Sequence, residues 1–131
     1  MKEELVEFET AKLAKEKGFN ELVENYFEIT TISKPISENT CKFQNINGLK
    51  SGNLASRPTQ SLLQKWIREK NDIHIVVLPN SEKQFFYEVF RNFELPFESE
   101  ELYSVLSGRV YNTYEEALEK GLYEALKLIN K

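Results

Sequence analysis

The chain contains one cysteine, one histidine and, at Asp72, one aspartate. A lone Cys41 cannot close an internal disulfide, which excludes a small secreted scaffold held by cross-links. Cys41 and His74 together fall short of the four N or S ligands of a structural zinc site. With Asp72 standing alone, no Asp/Asn cluster resembles a calcium loop. Glycine and proline are sparse, five and four residues respectively. Gly48 and Gly52 lack the lysine spacing of a phosphate loop, and no nucleophile elbow is present. No apolar run approaches the roughly 20 residues of a membrane helix. The first twelve residues, MKEELVEFETAK, lack the apolar segment of a signal peptide. These absences predict a soluble, cytoplasmic, non-enzymatic chain with no metal and no cofactor. A Cys41–His74 dyad is the one nucleophilic pairing available, and it needs proximity and a lowered thiol pKa. A strand histidine with one ordinary hydrogen bond is the better reading of His74.

What is present is 131 residues with 40% hydrophobic content and a net charge of −4. That length predicts a single domain over 1–131, large enough to hide about two-thirds of its unfolded surface. The charge is segregated. Lys50, Arg57, Lys65, Arg68 and Lys70 face only Glu69 between residues 50 and 70. Between residues 92 and 119 the acids Glu94, Glu98, Glu100, Glu101, Glu115, Glu116 and Glu119 face only Arg109. A net acidic chain is no general nucleic-acid binder, but either pole could meet a partner.

Local patterns predict the elements. A short helix over about 8–17 has Gly18 placed for a left-handed C-terminal cap. Glu24–Ile32 is rich in aromatic and β-branched residues and reads as a strand that Pro35 ends. Residues 33–57 show no sustained periodicity and read as a long loop, with a short strand near Cys41–Ile46. Pro58 suits a first helical turn, opening a helix over about 58–69 with Leu62, Leu63, Trp66 and Ile67 on its apolar face. A hairpin over about 73–90 follows. Ile73, Ile75 and Val77 share one face of its first strand, and Phe85, Tyr87 and Val89 share one face of its second. These sets should meet the helices. The acidic stretch 92–112 reads as irregular, with a helical turn at Glu100–Leu106 and a strand at Gly108–Tyr111. The last helix, about 114–130, opens on the capping box Thr113-Tyr-Glu-Glu116. Leu118, Leu122, Leu126 and Ile129 run down one face. The small row Ala117, Gly121, Ala125 allows close packing on a sheet, the alternative being a seam between copies of the chain. The sum is an α+β fold, an antiparallel sheet of three to four strands packed by helices.

Two surfaces are candidates for binding. Arg57, Lys65, Arg68 and Lys70 form a basic face suited to RNA phosphates or an acidic protein patch, or simply to solvation. The second hairpin face carries His74, Val76, Leu78, Phe86 and Phe90. It is core if an element covers it and a docking patch if none does. It lacks the signature of RNA-recognition sheets. The acids Glu98, Glu100 and Glu101 are a third, electrostatic candidate.

The segments Thr59–Lys70, Ile73-His-Ile and Tyr111–Ile129, with Phe8–Phe19, resemble a family of small uncharacterised proteins encoded by bacteriophages and prophages. The resemblance covers about half the chain and lies mostly at packing positions, so it brings no catalytic residues. It implies an accessory protein in a bacterial cytoplasm that binds a host protein or ribonucleoprotein, an inhibitor of a CRISPR effector being one concrete form. The alternatives are a small RNA-binding module using the basic helix face, and a structural or regulatory phage protein without nucleic-acid contact. No membrane and no small-molecule substrate are implied, and a homo-oligomer is compatible with the sequence.

Overall fold

In the computed structural model the residues described are 3–29, 36–91, 103–106 and 109–129. The chain is α+β, and the described residues form three α-helices and two antiparallel three-stranded sheets. It divides into two compact units, the first running to Thr59 and the second spanning Gln60–Ile129.

The first unit begins with helix α1, Phe8–Glu16. Glu9 in its first turn and Lys15 in its last complement the helix dipole. Gly18 adopts φ 94°, the left-handed conformation foreseen for the chain just past the helix. Strand β1, Val23–Ile29, is the centre of a sheet ordered β2-β1-β3. Strand β2 is Ile36–Gln44 and β3 is Leu54–Ser56. The expected loop over 33–57 is therefore largely ordered, with two strands and a 3-10 turn at Asn47–Leu49. Its residues hid this because β2 is an edge strand with no buried residue, its side chains ranging only from half-buried to exposed. The phase of the ladder can be worked out. Ile29 N donates to Asn53 O at 2.7 Å and Arg57 N to Asn25 O at 2.8 Å. Odd positions of β1 thus turn their backbone groups toward β3, and even positions turn toward β2. A register irregularity between Val23 and Asn25 of β1 interrupts the β1–β2 ladder. Phe27 is buried beneath α1, its ring edge-on to Phe8 with centroids 5.4 Å apart.

The second unit starts with α2, Gln60–Asn71. Pro58 precedes this helix instead of opening it, and its carbonyl accepts the Val6 N–H at 3.0 Å. Strands β4, Ile73–Pro79, and β5, Phe85–Arg91, form the expected hairpin. Strand β6, Tyr103–Leu106, extends the sheet to the order β4-β5-β6. An extended strand thus occupies residues 103–106 of the helical turn expected at Glu100–Leu106, and residues 100–102 lie outside the described residues. Pairing with β5 outweighs a four-residue helical preference, since a helix that short is not stable alone. Instead of a strand at Gly108–Tyr111, the described residues give a single bridge between Tyr111 and Phe85. Helix α3, Tyr114–Lys127, closes the unit. Thr113 caps it by accepting from Glu116 N at 3.1 Å, and the Glu116 carboxylate closes back on the Thr113 hydroxyl at 3.3 Å.

Ile73, Ile75, Tyr87 and Val89 are buried, as are Leu118, Leu122 and Leu126. The hairpin face set out from period-2 counting is the one that meets helices. The small row of α3 explains how closely. A Cβ added at Gly121 would lie 2.8 Å from Ile75 Cγ2 and 3.2 Å from Tyr87 Cγ. The row therefore serves packing onto the sheet rather than a seam between copies. Between α2 and α3, the buried Gln60 amide donates to Glu115 O at 2.9 Å and to Glu119 Oε1 at 3.1 Å. Gln64 Nε2 donates to Ile75 O at 2.9 Å, occupying part of the otherwise open β4 edge.

Candidate functional site

The sheet of the second unit has two unlike faces. Antiparallel pairing puts His74 opposite Phe90, Val76 opposite Glu88 and Leu78 opposite Phe86. These residues all point away from the face on which α3 lies, because side chains alternate along a strand. Val76 and Leu78 are 37% and 38% exposed, large values for apolar strand residues. His74, Phe86, Glu88 and Phe90 are half-buried. The result is an apolar strip, widest at the turn end of the hairpin, with one carboxylate set in it. Asn80 fixes that turn, its side-chain oxygen accepting the backbone N–H groups of Glu82 and Gln84, each at 2.9 Å. The strip is thus presented on a rigid ladder.

The opposite face carries a buried phenol. Tyr87 lies beside Tyr111, with ring centroids 6.3 Å apart. Its pKa is pushed up to about 12, first by burial and then by the charges of Glu124 and ionised Tyr111. The phenol therefore stays protonated across the physiological range.

The expected basic face divides. Lys65, Arg68 and Lys70 are exposed on α2, with Glu69 among them. Arg57 belongs to the first unit and is engaged there. Its Nε donates to Val6 O at 2.8 Å, its guanidinium carbon stands 4.6 Å above the Phe27 ring centre, and Nη1 meets Glu38 at 3.1 Å. Its side chain is 18% exposed. Arg57 holds the N-terminal segment to the sheet, a role its place in a basic run did not reveal. Glu98, Glu100 and Glu101 lie outside the described residues. Cys41 and His74 fall in different units, and the Cys41 thiol donates to Val23 O at 3.4 Å. Among the described residues, no group of three or more His, Cys, Asp or Glu is placed to hold a metal ion. No helix among them is long and apolar enough to cross a membrane.

One feature had no signal in the sequence. The first unit contains an open cavity of about 470 Å³ lined by residues scattered from Lys15 to Gly52.

No family model, no curated protein and no solved structure matches the chain.

Proposed function

We propose that this chain is a non-enzymatic accessory protein that binds a host macromolecule, and that the open face of the β4-β5-β6 sheet makes the contact. The observation that carries this reading is the exposure of Val76 and Leu78 beside Phe86 and Phe90 on a face opposite α3. Contiguous exposed apolar surface rimmed by polar residues marks interaction sites in soluble proteins. An aromatic and aliphatic strip with Glu88 set within it and His74 at one end offers apolar anchors together with polar groups for a protein partner. The proposal extends to a phage origin for the chain, with inhibition of a defence effector such as a CRISPR nuclease as its specific form.

The exposed Lys65, Arg68 and Lys70 favour a second reading, RNA binding through α2. Both are tested by capture from bacterial lysate, with and without nuclease, using the wild-type chain, Leu78→Glu and the Lys65→Glu/Arg68→Glu pair. The sheet-face reading expects one protein partner that survives nuclease, is lost with Leu78→Glu and is kept by the basic-face pair. Loss on nuclease treatment or with the basic-face pair, together with a steep decline of binding with salt, would establish RNA binding instead.

A further inference from the structure

The cavity of the first unit has a one-sided chemistry. Lys15, Lys50, Asn20, Asn45, Asn47 and Gly48 contribute to its wall, and no Asp or Glu among the described residues lines it. Four of its acceptors are engaged within the fold. Asn47 Oδ1 takes the Ser56 N–H at 2.9 Å, and Asn45 Oδ1 takes the Gly48 N–H at 2.9 Å. The Phe19 carbonyl takes Asn47 Nδ2 at 2.9 Å. The carbonyls of Ser51 and Leu54 both accept from Lys15 Nζ.

The donors are not consumed to the same extent. An ammonium group has three N–H bonds and a carboxamide two. Lys15 spends two on those carbonyls and keeps one, while Asn47 spends one on Phe19. Lys50 and Asn20, both exposed residues, also line the cavity. Asn45 Nδ2 sits so close over Gly48 that a Cβ there would be 2.5 Å from it, so glycine at 48 leaves the amide its place. The cavity therefore offers surplus donors and positive charge inside a chain whose net charge is −4. The complement is an anion that only accepts hydrogen bonds, and the volume is in the range of small-ligand sites.

We propose that this cavity binds a phosphate group, free or carried by a small molecule, with Lys50 and Lys15 supplying charge and Asn45 and Asn20 supplying amide donors. Phosphate oxygens pair with lysine as a point charge and take several N–H donors at once. The site is separate from the sheet-face strip, and its failure leaves that reading untouched.

The test is an amide NMR titration of the full chain with inorganic phosphate and, separately, with AMP. Saturable shifts at Gly18, Gly48 and Gly52 are expected. Lys50→Glu, at an exposed position, should weaken binding by roughly tenfold or more while leaving the thermal midpoint in place. Asn45→Ala should weaken it as well, and Lys65→Glu should not. Binding of inorganic phosphate at least as tight as that of AMP identifies free phosphate as the source, and tighter binding of AMP identifies a phosphorylated small molecule. No saturable shift at millimolar concentration overturns the proposal. So do shifts that Lys50→Glu leaves unchanged, or shifts that chloride reproduces at equal ionic strength.

Discussion

Gly121→Ala isolates the packing on which the second unit depends. In an unconstrained helix this substitution stabilises by about 1 kcal/mol, because alanine loses less backbone freedom than glycine. Here the new Cβ would stand 2.8 Å from Ile75 Cγ2, with Tyr87 Cγ and Cβ at 3.2 and 3.3 Å. Carbon pairs attract best at about 3.5–4.0 Å, so the Ile75 contact falls on the repulsive wall. Ile75 is β-branched and buried, and it cannot turn that methyl away without leaving its rotamer. Overpacking of this kind costs about 1–3 kcal/mol. The balance is a net loss of about 1 kcal/mol, or roughly 3–5 °C in Tm for a chain of this size. Ile75→Ala removes the obstructing methyl. In that background Gly121→Ala should be neutral or stabilising, with Tyr87 limiting the gain. Urea denaturation followed by the fluorescence of the single Trp66, in α2 of the same unit, reads both legs of the cycle. The expected coupling is about 1–3 kcal/mol. If Gly121→Ala stabilises equally in both backgrounds, α3 does not approach β4 this closely and the packing described is wrong.

Thr113→Ala removes the acceptor of the Glu116 N–H and should cost about 1 kcal/mol, measured as a lowered urea midpoint with an unchanged slope. Arg57→Ala should cost about 2 kcal/mol, since it takes away both the hydrogen bond to Val6 O and the stacking on Phe27. Glu38→Gln should cost well under 1 kcal/mol, because that partner is 68% exposed and its attraction is screened. Equal losses for the two would show that the exposed ion pair dominates. Tyr87, with its folded pKa raised to about 12, should ionise late in an ultraviolet titration. The native chain then holds a proton that the unfolded chain releases near pH 10. Its contribution to stability is complete below pH 10 and declines as pH rises toward 12. Tyr87→Phe should flatten that decline, and an unchanged alkaline profile would refute the assignment.

What could be read in advance followed the strength of local signals. The Thr113–Glu116 capping box and the four-residue spacing from Leu118 to Leu126 define α3 within one chain segment, so no tertiary information was needed. The 73–90 hairpin was legible because one face is buried at Ile73, Ile75, Tyr87 and Val89, which forces alternation on those positions. Strand β2 lacks that constraint. It pairs with β1 on one side only, and its residues from Ile36 to Gln44 are mostly polar. Tyr103–Leu106 is four residues long, and its strand character comes from β5 rather than from itself. For the sites, the apolar strip was visible as even-numbered residues on two strands. Whether it is core or surface depended on where α3 lies, which no spacing states. The role of Arg57 was hidden because its partners, Val6, Phe27 and Glu38, are distant in sequence. The cavity was hidden for the same reason, its wall being assembled from two separate segments, residues 15–20 and 45–52.

The open face of the β4-β5-β6 sheet is the surface proposed to contact the partner. The most direct measurement is calorimetric affinity for the purified partner, comparing Val76→Glu/Leu78→Glu with Lys65→Glu/Arg68→Glu at physiological salt, each variant first checked for wild-type circular dichroism. Burying a carboxylate without a counter-charge is costly, so the sheet-face pair should lose at least roughly a hundredfold in affinity. The basic-face pair should stay within about twofold, as rim charges contribute little. A sheet-face pair that binds like wild type, with the loss falling on Lys65 and Arg68, would contradict the claim.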